Sequence, residues 1–77
     1  MIEKARIYIS MGKYSEAADL LEKSNSFLPE LMFLRVLSET EAGRKDRAGE
    51  AYGILLEKYP ESFFTRSAEK VLSGHKF

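Results

Sequence analysis

Apolar residues recur along this chain at spacings of three and four, and glycine or proline cuts the runs at regular intervals. The first run, Ile2, Ala5, Tyr8 and Ile9, predicts a helix from about Ile2 to Met11 with one apolar stripe. Gly12 stops it, because glycine tolerates the left-handed conformation just past a helix end. Tyr14, Ala17, Ala18, Leu20 and Leu21 mark a second amphipathic helix, with Ser15 placed near its start as the expected cap. Ser24-Asn25-Ser26 breaks the pattern, and Pro29 opens the next helix.

The same sequence of signals then repeats. Leu31, Met32, Leu34, Val36 and Leu37 are the apolar part of a third helix that ends at Gly43. The fourth helix has the cleanest periodicity: Ala48, Ala51, Tyr52, Leu55, Leu56 and Tyr59 read as one continuous stripe. Asp46 supplies an acidic group near its N-terminus, favourable to the helix dipole, and Pro60 stops it. Phe64, Ala68, Val71 and Leu72 line one face of a fifth helix, which Gly74 closes.

The punctuation keeps one interval. Gly12, Gly43 and Gly74 recur every 31 residues, and Pro29 with Pro60 and Ala17 with Ala48 keep the same step. Punctuation at one period means one structural unit copied along the chain, and a period of this length belongs to helical solenoids. The expectation is an all-α stack of two helical hairpins and a C-terminal helix in a single domain over 1–77. Its first repeat runs over about 1–28, the second over about 29–59, and a half repeat over about 60–77.

These residues resemble the tetratricopeptide repeat. Gly12-Lys13-Tyr14-Ser15-Glu16-Ala17-Ala18 matches the turn and the helix crossing of that family; Gly43, Ala48 and Pro60 match in the second unit; Ala5 and Ser67 fit its small position. Close packing explains these residue types, since alanine at a crossing lets two backbones approach. The family repeat is normally 34 residues long, so a period of 31 implies that the first helix of each unit is about one turn short. The position that usually holds leucine carries Lys4, Arg35 and Arg66, and Val36 is bulkier than the family's small residue. The run Leu55-Leu56-Glu57-Lys58-Tyr59-Pro60-Glu61-Ser62 is similar to the subclass found in bacterial envelope-assembly and Tol–Pal accessory proteins. The resemblance implies a non-catalytic module that binds a peptide or protein in a groove lined by the first helix of each unit.

Composition narrows the field further. Lys+Arg and Asp+Glu are each 12, so the formal charge is zero, without the basic excess by which nucleic-acid binders neutralise phosphates. There is no cysteine, which removes disulfides and thiolate metal ligands. No stretch approaches the roughly 20 apolar residues of a membrane span, and the start lacks the apolar core of a signal peptide. A cytoplasmic location is expected if residue 1 is the natural start, and a periplasmic one remains open for an excised domain. No cofactor is expected: the chain has no Gly-rich phosphate loop and no metal-ligand spacing, and His75 has no companions for catalysis.

Three groups of residues are candidates for binding. Lys4, Arg35 and Arg66 share the 31-residue step and read either as a basic stripe for an acidic segment or as a solvated edge. Phe33, between Met32 and Leu34, reads either as a groove contact or as core. Phe63, Phe64, Val71 and Leu72 put more apolar surface on the last helix than one core accommodates, which predicts docking there, either of a second copy, for example as a homodimer, or of the remainder of a longer solenoid such as a larger envelope-assembly or scaffold protein. Glu39 and Glu41, two residues apart, do not share a helical face and are expected at the solvent.

Overall fold

A computed structural model of the chain, describing residues 2–24 and 26–74, contains five helices: α1 (Ile2–Ser10), α2 (Tyr14–Glu22), α3 (Pro29–Glu41), α4 (Lys45–Lys58) and α5 (Phe63–Leu72). Among the described residues there is no strand, and no helix is long and apolar enough to cross a membrane. Asn25, His75 and Phe77 lie outside the described residues.

The two hairpin turns are built alike. Gly12 takes φ +77° and Gly43 φ +83°. At each, the glycine N–H donates three residues back (Gly12 to Ile9, Gly43 to Thr40), and the next N–H donates five back (Lys13 to Tyr8 at 2.8 Å, Arg44 to Glu39 at 2.7 Å). This paired bonding satisfies the last carbonyls of the helix and reverses the chain within three residues. Ser15, expected as the cap of α2, lies inside the helix; Lys13 holds the cap position, and no side chain bonds there. The backbone turn already orders that end, so no hydroxyl is required.

α3 is the centre of the molecule and packs against all four other helices. Two apolar clusters lie on either side of it. One joins Ala5 and Leu21 to Leu31 and Leu34; the other joins Met32 and Val36 to Ala51, Leu55, Ala68 and Val71. Phe33 is packed against both. Ala17 and Ala48 are completely buried, as close approach of paired helices requires. Leu56, read as part of the α4 stripe, is largely exposed. It lies about 100° around the helix from Leu55, and Ile54 contributes to the core instead.

The third unit departs from the period. Pro29 is the first residue of α3, whereas Pro60 lies in a turn and α5 begins only at Phe63. Helix starts α3 and α5 are therefore 34 residues apart, while their closing glycines are 31 apart. Ser62 caps α5 by accepting the Phe64 N–H at 3.1 Å. Thr65 Oγ1 donates to the Tyr59 carbonyl at 2.6 Å and pins the turn to the helix it starts. Proline marks the boundary in both units, but only the first marks a helix start.

Candidate interaction surface

The first helices of the units, α1, α3 and α5, lie side by side. Two contacts define the face they share. Arg6 of α1 pairs with Glu30 of α3. Phe33 of α3 meets Phe64 of α5, ring centres 6.0 Å apart at 42°. Glu30, Phe33 and Leu37 follow each other at three and four residues along α3, so this helix shows one half-exposed edge. Phe63 extends the row, its ring edge-on to Phe64 at 5.7 Å. The surface is thus an aromatic and aliphatic strip bounded at one side by an ion pair.

The basic positions lie elsewhere. Arg35 is about 200° around α3 from Phe33 and points into the molecule, with its side chain 15% exposed. Its Nη2 donates to Glu22 Oε2 of α2 at 3.5 Å, and its Nε stands 3.8 Å from Glu39 Oε2. Lys4 lies over the Tyr8 ring, its Nζ 6.0 Å from the centroid. Arg66 is exposed on α5. The three share a sequence interval, but Arg35 belongs to the interior side of α3 and does not join the other two on one open face.

Glu39 overturns its expectation most clearly. It was placed at the solvent, and it is completely buried. Burial of a carboxylate requires countercharge, and two arginines supply it: Arg35 from one turn earlier and Arg44, whose Nη1 donates to Oε1 at 3.4 Å. Arg44 Nη1 also donates to Asp19 Oδ1 at 2.8 Å, and Arg47 stands 3.7 Å from Glu22. The charges thus tie α2 of the first unit to α3 and the start of α4 in the second. The Arg44 hydrogen bond holds the Asp19 carboxyl below its ordinary value. The spacing Arg35–Glu39, an i, i+4 pair, was the one sequence signal for this network.

The self-association candidates divide. Val71 is buried, and Phe64 and Leu72 are half-buried. Leu72 packs on the second cluster and Phe64 on Phe33. Phe63 alone of the four stands out, at 73% exposed.

An all-helical chain of paired helices, joined by glycine turns and stacked through buried alanines, defines a helical repeat protein. Residues 30–62 match the family model of the tetratricopeptide repeat, and that stretch is a tetratricopeptide repeat. The match takes in α3 from its second residue, the Gly43 turn and α4, and it ends at the cap of α5. No curated protein and no solved structure matches the chain. Tetratricopeptide repeats generally mediate protein–protein interaction and are typically non-catalytic.

Proposed function

We propose that this chain is a non-catalytic interaction module that receives a peptide or protein segment along the α1, α3 and α5 face. The observation that carries the reading is the Phe33–Phe64 contact, which continues one apolar strip from one repeat unit into the next. The strip stands on helices whose opposite side is fixed by packing and by the Glu39 ion pairs, so little ordering accompanies binding. Glu30 and Arg6 edge the strip with both signs of charge. The partner segment is therefore apolar at its centre and of mixed charge at that edge. Lys4 lies over Tyr8, Arg66 lies one turn from Phe63 at the outer end of the strip, and Arg35 has its partners within the chain.

Peptides selected by display against the immobilised chain provide the test, titrated into isotopically labelled protein. Amide shifts are expected to gather on Glu30, Phe33, Leu37 and Phe64. Shifts centred on Lys4 and Arg66 instead would assign binding to the basic positions and remove the aromatic strip. A second reading, self-association, is favoured by one observation, the exposed Phe63 ring on the last helix.

A further inference from the structure

The two ends of the stack carry unlike surfaces. α5 turns Thr65, Ala68 and Val71 inward and leaves Phe63, Arg66 and Lys70 exposed along one line. Aligned from the helix starts, Arg66 and Lys70 hold the positions of Met32 and Val36 in α3. Met32 and Val36 are buried in one cluster with Ala51 and Leu55 of α4. The outer line of α5 is thus the line a hairpin partner covers in the preceding unit, and here it is cationic with an aromatic ring at one end.

At the other end, Glu3 and Ile7 of α1 and Met11 of the turn that follows it are exposed at steps of four residues, with Ile7 and Met11 both more than half exposed. At the 31-residue step, Glu3 and Ile7 hold the positions of Leu34 and Ser38, which are buried in α3. Leu34 packs there with Ala5 and Leu21 of the first hairpin. The outer line of α1 is therefore the line a preceding unit covers. Lys4 is turned from it, over Tyr8.

We propose that a second copy of this chain docks its α1 line on the α5 line of the first, head to tail. With a rise of about 1.5 Å per residue, Glu3 to Met11 spans about 12 Å and Phe63 to Lys70 about 10.5 Å. Set antiparallel, as consecutive helices of the stack are, Glu3 meets Lys70, Met11 meets Phe63, and Ile7 lies on the Arg66 stem. A two-fold pair of α5 helices would instead gather Arg66 and Lys70 of both copies in one interface, with no carboxylate on that line to face them. The head-to-tail contact is heterologous, so it does not close at a dimer. Two helices of this length bury less than the roughly 1,200 Å² of a stable interface, so the association is weak and grows with concentration.

This proposal shares only Phe63 with the aromatic strip; its test rests on Glu3 and Lys70, which lie off that strip. Sedimentation of the full chain at low salt, in a series into the millimolar range, tests it with Glu3→Lys, Lys70→Glu and the double variant. Both substitutions fall on exposed side chains, and circular dichroism checks that each variant stays helical. The natural chain is expected to pass beyond dimer without a plateau and to dissociate in high salt. Each single variant weakens association by about two- to fivefold, the range for one exposed ion pair, and the double variant recovers it. A strict monomer throughout, a plateau at dimer, or a double variant no better than the singles would overturn it.

Discussion

At the scale of single residues, Arg35 and Glu39 show how the environment redefines a charge. The sequence presents Arg35 as one member of a regular basic series, yet burial and two carboxylate neighbours make it part of the interior. Arg35→Glu therefore does more than remove a surface charge. It gathers three carboxylates around one half-buried position beside the buried Glu39 and is expected to destabilise the fold by about 1–3 kcal/mol, the cost of leaving a buried polar group unsatisfied. A urea midpoint close to that of the natural chain would show that Arg35 is merely surface. Glu39 departs from its expected solvent position for a related reason. Periodicity reports which apolar residues share a face, but a carboxylate is legible as core only once its counterions are placed, and Arg44 arrives from beyond the turn. Phe33 was legible as ambiguous because it is so: it touches both clusters and still keeps an exposed edge.

At the scale of elements, the five helices and both glycine turns were legible because glycine, proline and apolar spacing act locally. The start of α5 was not. Pro60 repeats the position of Pro29 in the sequence, but its helix waits for Ser62, whose hydroxyl accepts an N–H that proline has no means to satisfy. The break of period follows from that competition between two boundary signals two residues apart. α4 carries a different irregularity, two glycines within its exposed face, Gly49 and Gly53. A Cβ at either meets nothing within 4 Å. Gly49→Ala and Gly53→Ala are each expected to stabilise the chain by about 0.5–1 kcal/mol through helix propensity. Thermal melts check this, and a lowered midpoint for either variant would mean that the bare backbone there serves a close contact.

At the scale of the whole molecule, stability has an acid and an alkaline limit. Asp19, with Arg44 as hydrogen-bond donor, titrates below its ordinary value of 3.8 in the folded chain. Its contribution is present above that value and fades as the pH falls through the depressed one. Burial, aided by Glu69, raises the Tyr52 hydroxyl above its ordinary 10.0. Its contribution is present below 10.0 and fades as the pH rises through the raised value. Melting temperature against pH should thus show a plateau with two falling limbs. Asp19→Asn should flatten the acid limb, and Tyr52→Phe the alkaline one.

The central helix gives the molecule a further property. α3 supplies residues to both apolar clusters, and its Phe33 ring is common to them. Linear stacks of repeats normally allow one end to melt while the other persists, because each unit answers only to its neighbours. Here neither half retains a complete core without α3, and α3 loses one covered face with the loss of either half. The chain therefore behaves as one cooperative unit: partial fraying is confined to α1 and α5, and any event that releases α3 releases the whole.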